Sequence, residues 1–278
     1  MERLEEIIKC PRTDSTLSYF EKEGRRGFLE KDKDIFYPEI NGIINFVGPE
    51  SNTKHKKIGE AYDQSLFMYD DYMEGNKFRW RLLKYLLLGY GYDDIKECEN
   101  ITRKLFQRVK RGIVLEVPIG TGIHTIREYA KHPDILFVAI DYSWGMVKEA
   151  KSKIDKMGLK NVVVVRADVA KLPFKDGAFD GLLTLNGIHS FPEKEAGMRQ
   201  MSRVLKKGSA FFGSLVVKKE RWITDLMMEL FYFPGKWFCR PALTRNEFNK
   251  MLKENKLAKK VDRLIKALVV FESTKETS

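Results

Sequence analysis

The stretch Ile113-Val114-Leu115-Glu116-Val117-Pro118-Ile119-Gly120-Thr121-Gly122 decides the fold class of this chain. Its apolar start predicts a buried parallel β-strand, because strands covered on both faces consist of nearly continuous apolar residues. The Gly-x-Gly turn lets the backbone approach a ligand without an intervening Cβ atom, and the following residues predict a helix whose first N–H groups are unpaired. A strand, a glycine turn and a helix start, in this order, predict a ligand-binding loop.

Three further apolar runs follow at the spacing of additional strands, and each ends near a polar residue. Asp141 follows the glycine turn by about 20 residues, the position from which an acid binds ribose hydroxyls in nucleotide-binding α/β folds. Ligands of open α/β sheets bind beyond the carboxyl ends of the strands, so the pattern predicts an α/β fold with one ligand-binding edge. The runs are residues 135–140, 162–165 and 179–185, and they precede Asp141, the pair Asp168-Val169, and Asn186.

Length and composition narrow the class of protein. The 278 residues, 43% of them hydrophobic, suffice for one large domain or for a domain with a small appendage. No apolar run reaches the roughly 18 residues of a membrane span, and the start Met1-Glu2-Arg3-Leu4-Glu5-Glu6 does not resemble a signal peptide. Three cysteines far apart in the sequence predict a reduced, cytoplasmic protein with unpaired thiols.

The net charge of +11 has two explanations. It fits an anionic partner such as RNA or a lipid surface, so a peripheral membrane contact stays open. It also fits a lysine-rich surface, because the lysines are scattered over predicted helix faces and turns. No RNA-binding module signature is present, and RNA is therefore not the favoured partner.

The strand and loop motifs resemble those of the class I S-adenosylmethionine (SAM)-dependent methyltransferases, from about residue 56 to the C-terminus. The resemblance implies a Rossmann-like sheet of seven mostly parallel strands with helices on both faces, SAM as the cofactor and no metal. Within the family, the chain is most similar to small-molecule methyltransferases of the quinone-biosynthesis type. The matching motifs are Glu116-x-Pro118-x-Gly120-Thr121-Gly122, Asp141, Asp168-Val169, Leu172-Pro173-Phe174-x-x-Gly177-x-Phe179-Asp180 and Arg203-Val204-Leu205-Lys206-Lys207-Gly208.

Two positions depart from the glycine patterns of nucleotide-binding loops. Pro118 replaces the first glycine of the methyltransferase signature and lacks an N–H, so one backbone donor is absent from the loop. The turn itself is left to Gly120 and Gly122. A dinucleotide-binding fingerprint requires a third glycine where this chain has Thr125, which disfavours a nicotinamide or flavin enzyme.

The resemblance also implies a role for each cofactor-binding residue. Glu116, Gly120 and Gly122 are expected at the methionine moiety, and Asp141 at the ribose hydroxyls. Asp168 is expected to accept a hydrogen bond from the adenine amino group, the alternative being a helix N-cap. The predicted cofactor-binding set is Tyr62, Glu116, Pro118, Gly120, Thr121, Gly122, Asp141, Tyr142, Met146, Asp168, Val169 and Asn186.

Residues 56–109 predict helices rich in aromatic residues. In the family such helices lie across the cofactor and shape the substrate pocket. Ala61-Tyr62-Asp63 resembles a family motif whose tyrosine approaches the methionine end of the cofactor, the alternative being a core aromatic residue. The aromatic residues of this segment include Tyr62, Tyr69, Tyr72, Phe78 and Trp80.

Methyl transfer from a sulfonium is an in-line displacement in which the protein mainly positions the reactants. His189, shortly after Asn186, is the candidate general base, because imidazole accepts a proton near neutral pH. The alternative is a structural histidine bonded to the loop backbone. The apolar residues within 222–238 predict either a cover over a lipophilic substrate or a part of the core or an interface.

Residues 1–50 predict a small β-rich segment, followed by a methyltransferase domain over 51–278 with a helical part at 56–109 and a Rossmann-like core at 110–278. The segment resembles the zinc-ribbon-like domain that precedes some methyltransferases. Cys10-Pro11-Arg12-Thr13 keeps only the first cysteine of that domain's opening. A single cysteine with no histidine before His55 cannot complete a four-ligand zinc site, so we predict a metal-free segment.

The sequence therefore predicts methyl transfer from SAM to a small, aromatic or lipophilic acceptor. An RNA methyltransferase is the alternative, based on the charge and the N-terminal segment. The missing zinc ligands count against it, as does Asn186-Gly187-Ile188-His189 in place of an Asn/Asp-Pro-Pro-aromatic motif. A SAM-binding protein without catalytic activity is the third possibility, since a fold does not determine a function. The acceptor atom and the oligomeric state stay open.

Overall fold

The structure, a computed structural model, describes residues 2–22, 24–48, 53–74 and 92–277. The helices are α1 (Glu2–Glu5), α2 (Thr53–Glu74), α3 (Tyr92–Arg108), α4 (Ile126–Tyr129), α5 (Trp144–Lys156), α6 (Lys194–Val204), α7 (Trp222–Met227) and α8 (Arg245–Glu254). The strands are β1 (Ser18–Lys22), β2 (Arg25–Glu30), β3 (Ile35–Ile40), β4 (Ile43–Asn45), β5 (Gly112–Glu116), β6 (Ile135–Asp141), β7 (Val162–Arg166), β8 (Phe179–Leu185), β9 (Leu205–Val216), β10 (Leu257–Ile265) and β11 (Leu268–Lys275).

The described strands form one sheet in the order β1-β2-β3-β4-β7-β6-β5-β8-β9-β11-β10. Pairing is parallel from β4 through β9, and β11 runs antiparallel between β9 and β10. This arrangement confirms the predicted Rossmann-like α/β fold. The strand count differs from the predicted seven, because β1–β4 continue the sheet beyond β7.

Helices cover both faces of the sheet, as a parallel sheet requires. Successive residues of β5 point to opposite faces. Leu115 is buried in a cluster with Met198 of α6 and Phe248 of α8. Val114 is buried in a second cluster with Leu105 of α3 and Val147 of α5. The apolar run that predicted β5 thus contributes residues to both buried clusters, one on each face of the sheet.

The N-terminal strands are built into the edge of this sheet. Ile43 and Asn45 of β4 pair in parallel with Val164 and Arg166 of β7. The apolar side chains of the first strands, Phe28 among them, lie in the same buried cluster as residues of the central strands. The predicted domain boundary at residue 50 lies outside the described residues.

The carboxyl ends of β5–β8 meet at one edge of the sheet, and α2 lies across that edge. Among the described helices, none is long and apolar enough to cross a membrane.

Candidate functional site

An open cavity lies between α2 and the carboxyl ends of β5–β8. Every strand end that the sequence singled out contributes to its wall. From the sheet side, the lining includes Glu116 to Thr121 after β5, Ile140 to Ser143 after β6, Ala167 and Val169 after β7, and Leu185 and Asn186 after β8.

One face of α2 forms the opposite wall. Its lining residues lie three, four, seven and fourteen positions after His55, which places them on one stripe of the helix. Gly59 allows a close approach, because a Cβ atom there would lie 2.9 Å from Cδ1 of Tyr142. The sequence analysis named only Tyr62 from this stripe as a cofactor-binding residue, although the helical spacing is visible in the sequence. The stripe consists of His55, Ile58, Gly59, Tyr62 and Tyr69.

Two aspartates attach α2 to the loops of the sheet. Asp63 accepts hydrogen bonds from the backbone N–H of Gly145, at 2.7 Å, and from the hydroxyl of Ser143. Asp70 forms an ion pair with Lys153 of α5 and accepts a hydrogen bond from the hydroxyl of Thr121. These contacts hold the helix over the cavity at two points.

Tyr62 closes the cavity on the β8 side. Its hydroxyl lies 2.8 Å from Oγ of Ser190 and donates to the carbonyl oxygen of Trp237 at 3.0 Å. Its ring stacks on the Trp237 indole, with 6.3 Å between the centroids. Tyr62 therefore joins α2 to the segment after α7.

The two glycines of the turn have different surroundings. Both have positive φ, +57° at Gly120 and +70° at Gly122, a region that favours glycine. Among the described residues, a Cβ atom on Gly120 would have only Tyr69 nearby, at 3.5 Å from its hydroxyl oxygen. A Cβ atom on Gly122 would lie 2.2 Å from Cδ1 of Ile126. Gly120 lines the cavity. Gly122 packs against α4 and does not line the cavity.

The carboxylate of Asp141 links β6 to the glycine loop. Its Oδ2 accepts from the N–H of Gly120 at 2.9 Å, and its Oδ1 accepts from the N–H of Ser143 at 3.0 Å. Burial raises the pKa of this carboxyl to about 6, although the two backbone N–H groups favour its ionised form. A carboxylate on the cavity wall can accept hydrogen bonds from two adjacent hydroxyls.

Comparisons with known proteins agree with this geometry. Residues 114–208 match a family model described as "Methyltransferase domain". An uncharacterized chloroplastic methyltransferase of Arabidopsis thaliana is 27% identical over 163 residues, which cover 56% of this chain and 42% of the relative. The ubiquinone/menaquinone biosynthesis C-methyltransferase UbiE of Geotalea uraniireducens is 29% identical over 155 residues, which cover 55% of this chain and 60% of that protein. Residues 114–208 are therefore those of a methyltransferase domain.

Solved structures extend the fold of this methyltransferase domain beyond the matched residues. The [4+2]-cyclase SpnF superposes with a TM-score of 0.61 over 84% of this chain and all of its own, at 16% sequence identity. That similarity concerns the fold alone. The chain spans between 42% and 62% of the length of the first curated relatives that it matches.

The cavity of the methyltransferase domain fits SAM on three observations. The backbone at Gly120 is open toward the cavity, the carboxylate of Asp141 stands beside it, and the buried Nε2 atom of His55 lacks a hydrogen-bond partner among the described residues. In the described part of the chain, no group of three or more metal-ligating side chains is suited to hold an ion.

Glu116 contributes a buried carboxyl group to the cavity wall. It accepts a hydrogen bond from the hydroxyl of Tyr129. Burial raises its pKa to about 8, so the group is mostly protonated at neutral pH. Pro118, Thr121, Tyr142 and Met146 of the predicted set also line the cavity.

At the end of β7, the adjacent residues Asp168 and Val169 differ in their position relative to the cavity. Val169 lines the cavity and Asp168 does not. The carboxylate of Asp168 accepts from the N–H of Ala170 at 2.8 Å and caps a 3₁₀ turn, the alternative role considered for it. Its Oδ1 also lies 2.9 Å from Nδ1 of His55. The polar side chain from this region that lines the cavity is therefore that of His55, which the sequence analysis did not select.

Asn186 lines the cavity from the end of β8, with a left-handed φ of +52°. Its side-chain oxygen accepts from the hydroxyl of Ser214 at 3.1 Å. The amide side chain is thus already bonded within the protein, and the backbone N–H of Asn186 donates to the carbonyl oxygen of Ser214 at 3.0 Å. The backbone carbonyl of Asn186 is therefore the part suited to contact a ligand.

The structure does not bring His189, the candidate general base, to the cavity. Its ring is buried against Phe238, with 4.0 Å between the centroids, and its Nδ1 accepts from the N–H of Val216 at 3.1 Å. In a neutral ring Nε2 then carries the proton, so no lone pair is left to accept another. Burial also lowers its pKa to about 3. This geometry is that of a structural histidine.

The apolar stretch 222–238 divides between core and surface. Met228, Tyr232 and Phe238 are buried, whereas Trp222 is 76% exposed. Within the described residues, none of this stretch lines the cavity, and its link to the site is the Trp237 contact with Tyr62. Phe78 and Trp80, also expected near the substrate, lie outside the described residues.

Proposed function

We propose that this chain transfers a methyl group from SAM to a neutral, apolar small molecule by in-line displacement. The observation that carries the proposal is the hydrogen bond between Asp141 and the N–H of Gly120 at the cavity wall. It places the acid that suits a ribose directly beside the backbone that suits the rest of the cofactor. The family match over residues 114–208 supports the same assignment.

Different residues of the cavity bind different parts of the cofactor. When bound, SAM supplies the activated methyl group. Asp141 accepts hydrogen bonds from the ribose hydroxyls. The backbone at Gly120 and the carboxyl of Glu116 border the methionine end, and Met146 packs against the base. The contact of Tyr62 with Trp237 keeps water from the β8 side, where the acceptor would meet the methyl group.

The charge of the cavity favours a neutral acceptor. Among the described residues that line it, none is a lysine or an arginine. The two acids among them are Asp141 and Glu116, of which Glu116 is mostly protonated at neutral pH. A phosphorylated acceptor such as RNA would find no lysine or arginine in the described part of this wall. Ile58, Ile119 and Leu185 supply apolar surface. The similarity to UbiE, a ubiquinone/menaquinone biosynthesis C-methyltransferase, supports an acceptor of apolar, aromatic type.

We assign no general base to the reaction. In many such transfers, the positioning of the two reactants accounts for a large part of the rate enhancement over the uncatalysed reaction. His189 has its acceptor nitrogen occupied by the N–H of Val216, and we propose that it supports β9 rather than the chemistry.

Isothermal calorimetry with SAM, S-adenosylhomocysteine and NAD tests the cofactor assignment. We expect dissociation constants on the order of 1–100 μM for both adenosyl ligands and no binding of NAD. Asp141→Ala should abolish adenosyl binding. Asp155→Ala, on the exposed end of α5 where Asp155 pairs only with Lys151, is the matched control and should bind normally. Binding of NAD in place of the adenosyl ligands would refute the proposal.

The acceptor class requires a second experiment. The protein is incubated with methyl-labelled SAM and, separately, with phenols, quinols and RNA. Label transfer to a phenol or quinol supports the proposal, whereas transfer to RNA alone, with a steep dependence on salt, would establish the alternative function.

A further inference from the structure

We propose that His55 reads the adenine base of the cofactor and that Asp168 acts through His55 as a positioning residue. The inference rests on the proposed function and deepens it. It differs from the role that the resemblance implies for Asp168, because the carboxylate of Asp168 does not line the cavity and the His55 ring does.

The position of the base follows from the order of the strand ends. The cavity crosses the ends of β7, β6, β5 and β8 in that order. A ribose bound at Asp141, at the end of β6, has the glycine loop and Asn186 on its β5 and β8 side. The base then lies on the β7 side, where the lining residues are His55, Tyr142 and Val169.

The His55 ring is held in one orientation by two contacts. Its Nδ1 lies 2.9 Å from Oδ1 of Asp168, and its ring lies edge-on to Tyr142 with 5.8 Å between the centroids. The side chain is only 3% exposed. An ionised carboxylate accepts hydrogen bonds and does not donate them, so Nδ1 carries a proton and donates to Asp168. In the neutral ring, Nε2 is then left with a lone pair.

Nε2 of His55 lacks a hydrogen-bond partner among the residues that the structure describes. It is buried and makes no hydrogen bond within the described residues. The carboxylate of Glu193, its nearest ionic neighbour, is 3.7 Å away, too far for a hydrogen bond. A buried polar atom without a partner is costly, and a ligand that supplies a donor removes that cost.

The exocyclic amino group of adenine is a donor of the required kind. In hypoxanthine a carbonyl oxygen replaces that group and would face the lone pair of Nε2. His55 should therefore make the site select adenine over hypoxanthine. This selectivity is a property of binding and can be measured without any turnover.

The test compares S-adenosylhomocysteine with S-inosylhomocysteine, its hypoxanthine analogue, by calorimetry. We expect the wild-type protein to bind the adenosyl ligand about tenfold more tightly, the effect of one well-formed hydrogen bond. His55→Ala should bind the two ligands within about twofold of each other. His132→Ala, which changes a histidine that packs against Phe106 away from the cavity, should keep the wild-type preference.

Asp168→Ala, made alone and together with His55→Ala, separates the two residues. If Asp168 acts through His55, Asp168→Ala alone should reduce the preference for the adenosyl ligand. In the double variant, it should cause no reduction beyond that of His55→Ala. A preference that survives His55→Ala but disappears with Asp168→Ala would show that Asp168 contacts the base itself and would overturn the inference. A wild-type preference for the inosyl ligand, which needs a donor at Nε2, would overturn it as well.

The outcomes also separate this inference from the proposed function. If the wild-type protein binds neither ligand, the proposed function fails. If it binds both equally well, the function stands and only the assignment of His55 fails. Circular dichroism of each variant identifies a loss of binding that results from unfolding.

Discussion

Asp141 and Gly120 are joined by a hydrogen bond of 2.9 Å between the carboxylate and the backbone N–H. The acid at the end of β6 therefore also holds the glycine loop at the end of β5. Ligand recognition and loop conformation depend on the same side chain, so a substitution at Asp141 affects more of the site than the ribose contact alone.

The close packing of α2 makes Gly59 a sensitive position. In Gly59→Val, the new side chain would collide with Tyr142 and displace the helix from the cavity. We expect binding of S-adenosylhomocysteine to weaken at least tenfold, measured by calorimetry. Glu60→Val places the same side chain at the exposed neighbouring position and should leave the affinity unchanged. Equal effects of the two variants would mean that the helix does not form the wall.

The hydroxyl of Tyr62 should matter both for stability and for binding. Tyr62→Phe removes its contacts with Ser190 and Trp237, and we expect the free energy of unfolding to fall by about 1 kcal/mol and ligand dissociation to become several times faster. Denaturant titration and stopped-flow displacement measure the two effects. Tyr19→Phe, which removes a hydroxyl bonded to Glu39 near the N-terminus, is the control. It should affect stability alone, and a change in its dissociation rate would contradict the prediction.

The surroundings of Glu116 predict a pH dependence of stability. Its pKa is raised from 4.5 to about 8 by burial, so between these values the folded protein retains a proton that the unfolded chain releases. Stability should therefore decrease as the pH rises from about 5 to 8, with a contribution approaching about 1.4 kcal/mol per pH unit. Glu116→Gln keeps the shape of the side chain without titrating.

Urea titrations of the wild-type protein and of Glu116→Gln at several pH values measure this contribution. The wild-type protein should lose stability relative to the variant as the pH rises, because only the wild type must release the proton. Parallel pH profiles for the two proteins would show that Glu116 does not titrate in this range.

His189 should be important for stability and not for chemistry. His189→Ala leaves the buried N–H of Val216 without an acceptor, and we expect a loss of about 1–3 kcal/mol in the free energy of unfolding. At a temperature where the variant is folded, kcat should change by less than about threefold, and the pH profile of kcat should keep its shape. A general base would instead contribute about 100-fold or more, so a fall of that size with an altered pH profile would restore His189 as the catalytic residue.

The parts of the fold that the sequence predicted depend on local patterns. The apolar run before Gly120 predicted β5, and the acid about 20 residues later predicted the end of β6, because strand length and turn chemistry are properties of adjacent residues. Gly120 and Gly122 belong to the same motif, yet only Gly120 lines the cavity. The difference arises from the packing of Ile126, which the motif does not contain.

The structure departs from the sequence predictions mainly where distant residues make contact. Nothing near His55 in the sequence indicates that Asp168 will bind its ring. Nothing near His189 indicates that a backbone N–H of β9 will occupy its acceptor nitrogen. The sequence predicted the site residues that lie within one motif. It did not predict the contacts that form between two distant segments.

The parallel pairing of β4 with β7 affects the order in which the chain completes its fold during synthesis. Asn45 pairs with Arg166, and the two residues are 121 positions apart. While the ribosome makes the intervening residues, the inner edge of β4 has no partner, and unpaired strand edges favour aggregation. The part of the sheet that is synthesised first can therefore be completed only after more than half of the chain has emerged.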